Sequence, residues 1–113
     1  MMKDWIYLAG VFDARGFVKF TYGSTYSYAV FFNFTEDNKK TWENIRKIVG
    51  KYFPCRIYRI KRSKGKKEYQ LWIGSKKSVY EFLKAILPYS NRKEEIATYL
   101  KLLEEKGYKK KLR

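Results

Sequence analysis

Cations dominate the side chains of this sequence that could take part in chemistry. There are 26 Lys and Arg against 11 Asp and Glu, which gives a formal net charge of +15 at pH 7. A field of this sign concentrates polyanions at the surface and speeds their capture. Heat-adapted proteins also carry many charges, but they balance Lys with Glu, and this chain does not. Nucleic acid is therefore the expected partner, and an anionic membrane is the lesser alternative.

The residue types that are missing exclude several mechanisms. The chain has no His and a single Cys, Cys55. A Cys/His zinc site, a histidine general base and a Ser-His-Asp triad are therefore excluded, and one Cys cannot form an internal disulfide. We expect Cys55 to be a small buried apolar side chain.

Length and composition indicate one folded domain. The chain has 113 residues, of which 45% are hydrophobic, and this is enough to form a core without disulfides or metals. We predict a single domain over residues 1–108 and a basic tail over residues 109–113. No apolar run approaches the length of a membrane span, and the sequence starts without a signal-peptide pattern. We expect an intracellular protein, cytoplasmic or nucleoid-associated.

Four helices are predicted from apolar positions that recur every three or four residues. The first spans residues 4–13, with Asp4 as its N-cap. The others begin at the N-caps Asn38, Ser75 and Asn91, because Ser, Asn and Asp side chains accept hydrogen bonds from the free N–H groups of a first turn.

Residues that alternate between apolar and polar predict two antiparallel hairpins. Their strands are expected at residues 17–22, 26–34, 55–62 and 68–73. The order α-β-β-α-β-β-α-α predicts an α+β fold in which one four-stranded antiparallel sheet carries helices on one face. The other face is expected to be open, and to carry Lys19, Asn33, Gln70, Arg59 and Lys61.

An open, basic sheet face of this kind can lie in the major groove of DNA. Its side chains would contact base edges while its basic rim contacts phosphates, so binding would weaken steeply with salt. The expected DNA contacts come from the two hairpins, and they are Lys19, Thr21, Ser27, Asn33, Arg59, Lys61, Lys64, Lys66, Lys67, Gln70 and Trp72.

The end of the first predicted helix carries the most specific sequence signal. Residues 8–16 have the sequence LAGVFDARG. This string resembles the motif that names the LAGLIDADG family of homing endonucleases, and seven of its nine positions match identically or conservatively. The order of elements also resembles the family's αββαββα half. The resemblance therefore covers nearly the whole chain and implies that fold.

A single copy of the motif implies, in that family, a homodimer whose two motif helices pack together at the two-fold axis. The resemblance places Leu8, Ala9, Gly10, Phe12 and Ala14 at this dimer interface. A two-fold protein implies a pseudo-palindromic site in double-stranded DNA.

The resemblance also implies where an active site would lie, beneath the ends of the two motif helices. The family's metal-binding acid precedes the last Gly of the motif, and Arg15 occupies that position here. A guanidinium is a cation with donors only, so it cannot bind Mg²⁺. The other matching positions are Glu36, Lys40 and Lys93. We therefore expect a sequence-specific DNA-binding protein with impaired catalysis, no metal site and no cofactor.

Two alternatives stay open. Glu36 or Asp37 could reach a Mg²⁺ ion near the axis, and the protein would then be an active metal-dependent endonuclease. Alternatively, the chain could be an RNA-binding intron maturase, because some LAGLIDADG proteins assist splicing. RNA-binding proteins often stack bases on exposed aromatic side chains, and this sequence has many aromatics.

Overall fold

A computed structural model describes residues 2–21, 27–63 and 66–105, without the side chains of Thr21, Ser27, residues 61–63 and Lys66. The element order is the predicted one. The helices and strands are α1 (Met2–Arg15), β1 (Gly16–Thr21), β2 (Ser27–Thr35), α2 (Lys39–Gly50), β3 (Cys55–Ser63), β4 (Lys66–Gly74), α3 (Lys76–Ile86) and α4 (Lys93–Glu105). Two short 3-10 turns, Glu36–Asn38 and Leu87–Tyr89, precede α2 and α4. The predicted basic tail, residues 109–113, lies outside the described residues.

The four strands form one antiparallel sheet in the order β1-β2-β4-β3. Apolar residues that alternate along β2 and β4 point to the same face, and all four helices pack on that face. Phe12 of α1, Phe32 of β2 and Phe82 of α3 meet edge to face, with ring centroids 6.3 to 6.5 Å apart. The predicted α+β fold, with helices on one face of a four-stranded sheet, is confirmed.

One predicted helix cap is confirmed and another is not. The Ser75 hydroxyl accepts a hydrogen bond from the backbone N–H of Ser78 at 3.2 Å, at the start of α3. Asn38 occupies the N-cap position of α2, but its side chain makes no capping hydrogen bond. Asn38 is also the last residue of the 3-10 turn that leads directly into α2.

Asp4 is not the N-cap of α1, because the helix begins two residues earlier, at Met2. Its carboxylate instead accepts a hydrogen bond from the Tyr52 hydroxyl at 2.6 Å and pairs with the Lys51 ammonium at 3.0 Å. The Tyr52 hydrogen bond, with Lys51 next, lowers the pKa of Asp4 from 3.8 to about 2. Asp4 therefore ties the start of α1 to the end of α2.

Cys55, at the start of β3, is half-buried and packs against the core. Its thiol lies 3.7 Å from the carbonyl oxygen of Arg46, and burial raises its pKa. Within the described parts of the chain, no helix is long and apolar enough to cross a membrane.

Candidate functional site

The open face of the sheet carries an aromatic row, formed by Phe17, Phe31, Trp72 and Tyr58. The register places Phe17 of β1 opposite Phe31 of β2, and Phe31 opposite Trp72 of β4. These three rings stack, with centroids 5.4 and 5.7 Å apart, and Tyr58 of β3 meets Trp72 edge-on at 6.0 Å. Phe17 is 49% exposed and Tyr58 is 44% exposed. The row is therefore an apolar surface that water reaches, which is typical of an interaction site.

A polar network lies beside the aromatic row. The Gln70 amide nitrogen donates to Asn33 Oδ1 at 2.8 Å, and the Trp72 indole N–H donates to Gln70 Oε1 at 2.5 Å. The ammonium of Lys19 lies 5.5 Å from the centroid of the Trp72 ring. The structure thus places Lys19, Asn33, Gln70 and Trp72 on the open face, as strand alternation predicts. Their contact with DNA stays a prediction.

The predicted face of Arg59 is wrong. Arg59 pairs with Tyr69, so its side chain lies on the helix-covered side of the sheet, at the exposed edge strand. The open face instead carries Arg56, Tyr58 and Ile60 of β3, whose partners are Trp72, Gln70 and Glu68. A slip of one residue in strand pairing exchanges the two faces, and the sequence of β3 alone does not fix the pairing.

Several predicted DNA contacts cannot be located. The side chains of Thr21, Ser27, Lys61 and Lys66 lie outside the described part of the structure, and so does the whole of Lys64. Lys67 is half-buried and lies on the same face of β4 as Tyr69, away from the open face. The basic hairpin between β3 and β4 thus stays a predicted phosphate contact.

Arg15 is the last residue of α1 and is exposed. It lines a small groove of about 190 Å³ together with Phe17 and Asn33 of the open face. It also lines a larger groove of about 580 Å³ between α1 and α2, together with Tyr7 and Asn38. Arg15 therefore stands where the open face of the sheet meets the exposed side of α1.

Three further residues of the predicted site lie in one segment, at the start of α2. Glu36 and Asp37 are exposed in the 3-10 turn before α2, and Lys40 is exposed in the first turn of that helix. Asn38, between them in sequence, lines the same groove as Arg15. The participation of Glu36, Asp37 and Lys40 in a site with Arg15 stays a prediction.

Asp13 and Lys93 both make hydrogen bonds with Ser90, just before α4. The Asp13 carboxylate accepts hydrogen bonds from the Ser90 hydroxyl and, at 2.7 Å, from the backbone N–H of Asn91. Lys93 donates its ammonium to the Ser90 carbonyl at 2.7 Å. Asn91 is therefore not the N-cap that the sequence predicted. The first helical hydrogen bond, from Ile96, is accepted by the Arg92 carbonyl, and so α4 begins one residue later.

Arg92 is the residue of this region that the sequence did not single out. One guanidinium nitrogen donates to the carbonyls of Phe12 and Gly16, at 2.7 and 3.0 Å, and the other two donate to both carboxylate oxygens of Glu95. The hydrogen bonds between Arg92 and Glu95 lower the pKa of Glu95 and raise the pKa of Arg92. The guanidinium also lies 4.2 Å from the centroid of the Phe12 ring. Arg92 thereby fixes the end of α1, and with it the position of Arg15.

The residues at the end of α1 do not fit a divalent cation. Arg15 stands at the position of the expected carboxylate, and the Asp13 carboxylate is already occupied by Ser90 and Asn91. Within residues 2–21, 27–63 and 66–105, no three His, Cys, Asp or Glu side chains gather into a possible metal site.

The predicted dimer interface is wrong at three of its five residues. Leu8, Ala9 and Phe12 have no accessible surface, because they pack into the core of their own chain. Residues without accessible surface cannot contact a partner. Gly10 and Ala14 are exposed, as a contact surface requires.

The exposed side of α1 also carries large apolar residues. Ile6 is 49% exposed and Tyr7 is 46% exposed, and both line the groove between α1 and α2. Ile6, Tyr7, Gly10 and Ala14 together form a surface that we call the α1 surface. Its helical spacing marks a second apolar side of a helix whose first side is in the core.

Comparison with known proteins supports the fold through structure and not through sequence. No protein-family model matches the chain, and no curated protein matches it. A crystal structure of the homing endonuclease I-CvuI in complex with its target is 20% identical, with a TM-score of 0.67 over 92% of this chain and 68% of that chain. Another I-CvuI structure, in complex with the I-CreI target, is 18% identical, with a TM-score of 0.65 over 92% of this chain and 69% of that chain.

A third structure extends the similarity to a longer protein. The LAGLIDADG meganuclease I-AabMI, bound to uncleaved DNA, is 17% identical, with a TM-score of 0.60 over 91% of this chain and 37% of that chain. The present chain therefore has the LAGLIDADG homing endonuclease fold, as the resemblance implied. The likeness at these identities concerns the fold alone.

Proposed function

We propose that this protein binds double-stranded DNA in a sequence-specific manner and does not hydrolyse it. The open face of the sheet is the observation that carries the proposal. It presents Lys19, Asn33 and Gln70 side by side on a face that the helices leave free. Amide and ammonium groups of this kind bind base edges and phosphates. The I-CvuI and I-AabMI structures with the same fold were solved with DNA.

The lack of cleavage follows from Arg15. Its guanidinium provides donors where a metal site needs a carboxylate, and it forms bidentate hydrogen bonds with phosphate. Because Arg15 lies at the edge of the open face, a duplex on that face would bring its backbone within reach. In our proposal Arg15 binds a phosphate without activating water.

The DNA-binding unit in this proposal is a homodimer that forms through the α1 surface. Ile6 and Tyr7 supply apolar area, and Gly10 allows two helices to approach closely because it has no side chain. Two sheets related by a two-fold axis would form one continuous DNA-binding face and bind a pseudo-palindromic site. Each subunit would then contribute one Arg15.

A selection of bound sequences from a randomised DNA duplex pool tests this function. Each recovered duplex is then incubated with Mg²⁺ or Mn²⁺. A pseudo-palindromic consensus without cleavage supports the proposal. If the wild-type protein cuts the duplex and Glu36→Gln or Asp37→Asn abolishes the cut, the protein is an endonuclease with an altered metal site and the proposal is wrong.

The substitution Arg15→Asp asks whether only the carboxylate is missing. Metal-dependent nicking of the selected duplex by this variant is expected if Lys40, Lys93 and the rest of the region are otherwise competent. A variant that binds the duplex but shows no nicking at any Mg²⁺ concentration would mean that the region lacks more than one carboxylate.

The aromatic row favours a second candidate, which is binding of unpaired bases in RNA. Every base has a π face, and exposed aromatic side chains stack on such faces with little regard to sequence. Phe17 and Tyr58 are accessible at the two ends of the row. If structured RNA competes for the protein better than the selected duplex does, this second candidate replaces the first.

A further inference from the structure

The polar network of Asn33, Gln70 and Trp72 has a defined direction. An indole nitrogen can only donate a hydrogen bond, so the Gln70 atom that faces Trp72 must be the acceptor Oε1. The Gln70 amide nitrogen is then the atom that faces Asn33, and the Asn33 atom that accepts from it must be Oδ1. The Asn33 amide nitrogen, with its two N–H donors, is left at the exposed end of the network.

The direction is stable because the indole is held in place. The Trp72 ring stacks on Phe31 and is contacted edge-on by Tyr58. A free Asn or Gln amide can turn over and exchange its donor for its acceptor. Here a turn of Gln70 would bring its NH₂ group against the indole N–H, and two donors would then face each other.

The network and Lys19 therefore present mostly donor groups to a ligand, because Asn33 Oδ1 and Gln70 Oε1 each already accept one hydrogen bond. These groups are the Asn33 amide nitrogen, the second N–H of the Gln70 amide and the Lys19 ammonium. In the major groove, guanine presents the acceptors O6 and N7 and thymine presents the acceptor O4. Cytosine presents the amino donor N4, and adenine presents the amino donor N6 beside its acceptor N7. We propose that this network selects the orientation of the base pair that places a keto base, guanine or thymine, on the DNA strand that it contacts. The inference rests on the proposed function, and it names which bases the open face prefers.

Two substitutions separate this inference from a general role of the three residues in binding. In Gln70→Glu the carboxylate accepts from Trp72 and also from Asn33, so the Asn33 amide turns and presents its oxygen outwards. The preferred bases should then change from guanine or thymine to adenine or cytosine. In Trp72→Phe the network loses its fixed donor, both amides can turn, and the preference should weaken in both directions.

The experiment is a parallel selection from one randomised duplex pool with the wild type, Gln70→Glu and Trp72→Phe. Competition follows between duplexes that differ only in which strand of the contacted base pair carries the keto base. For the wild type we expect a keto preference of about fivefold, which corresponds to one well-placed hydrogen bond. Gln70→Glu should reverse the preference by a similar factor, and Trp72→Phe should reduce it to less than about twofold. The ratio between competing duplexes is measured because an added negative charge weakens binding to all DNA.

The outcomes are distinct. A wild-type consensus that Gln70→Glu leaves unchanged overturns the keto preference and leaves the proposed function standing. No consensus from the wild-type protein overturns both. Circular dichroism checks that each variant is folded. Asn33→Asp, which presents an acceptor at the same exposed position, should give the same reversal if Gln70→Glu does not fold.

Discussion

Among the individual residues, Arg92 has the widest set of partners at the end of α1. Its guanidinium caps the carbonyls of Phe12 and Gly16 and pairs with Glu95. Hydrogen bonds from a charged donor contribute more than neutral ones, and their loss leaves two carbonyls at the helix end without this donor. We predict that Arg92→Met lowers the free energy of unfolding by about 2 kcal/mol. Urea denaturation measures this change.

Glu95→Gln is the matched control for Arg92. The Glu95 carboxylate is 40% exposed, and the partial solvent screening of this pair limits its contribution. We expect this variant to lose less than about 1 kcal/mol of stability. Equal losses for the two variants would mean that the ion pair, and not the capping of α1, is what Arg92 provides.

Asp4 makes part of the stability of the fold depend on pH. Its pKa is lowered from 3.8 to about 2 in the folded state, chiefly by the Tyr52 hydrogen bond. A lowered pKa contributes stability that is present above the unfolded pKa and is lost as the pH falls through the folded pKa. We therefore predict that the wild type exceeds Asp4→Asn in stability most above pH 3.8, and that this difference disappears near pH 2.

Denaturation of both proteins at a series of pH values measures this difference. Tyr52→Phe is the control, because it removes the hydrogen bond and retains the carboxylate. Its stability should depend on pH less steeply than that of the wild type in the same range. If the stability difference between the wild type and Asp4→Asn is the same at every pH, the proposed role of Asp4 is wrong.

At the scale of the elements, two glycines of the α1 region make opposite predictions for the same substitution. A Cβ at Gly16 would lie 2.2 Å from a ring atom of Phe12, and that ring is fully buried and cannot move aside. A Cβ at Gly10 would meet no atom of the described residues within 4 Å. We predict that Gly16→Ala destabilises the fold by about 1 to 3 kcal/mol, as overpacking does.

Gly10→Ala should instead stabilise the fold by up to about 1 kcal/mol, because Ala is the better residue inside a helix. Thermal denaturation of the two variants at low protein concentration compares them without a contribution from association. Destabilisation by Gly10→Ala under these conditions would mean that α1 packs more tightly than the structure shows.

The sequence predicts elements well where one residue pattern has one structural solution. In β2 the alternating residues Val30, Phe32 and Phe34 predict which face of the strand is buried, and the structure buries all three. In β3 both alternating sets mix basic and apolar residues. The pairing with β4 therefore decides the face, which is why Arg59 is on the other side of the sheet from the one predicted.

The motif helix shows the same limit for the candidate site. Positions of Leu8, Ala9 and Phe12 could serve either a core or an interface, because apolar residues suit both. Only the packing of α1 on the sheet assigns them to the core. The sequence could not predict the partners of Arg92 either, because only the folded structure brings Arg92 to the Phe12 carbonyl, which is 80 residues away in the chain.

At the scale of the whole molecule, the exposed α1 surface predicts self-association. Gly10→Arg places a long cation at the centre of this surface, where the single chain has room for it but a close helix pair does not. We predict that the wild type is a dimer and that Gly10→Arg is a folded monomer. Sedimentation equilibrium measures both molecular masses. A monomeric wild type would remove the dimer from the proposed function.

The salt dependence of DNA binding connects the charge of the molecule to its symmetry. Each phosphate that a cation neutralises releases counterions and contributes about 0.9 to the slope of log K against log salt. A residue that contacts one phosphate in each subunit of a dimer therefore contributes about twice that amount. We predict that Arg15→Gln makes this slope less steep by about two, measured by fluorescence anisotropy on the selected duplex at a series of salt concentrations.

Lys84→Gln is the control, because Lys84 is exposed on α3 over the Tyr80 ring, and this variant should leave the slope unchanged. A decrease of about one would indicate that a single Arg15 contacts the backbone, and no decrease would mean that Arg15 faces solvent and does not bind DNA.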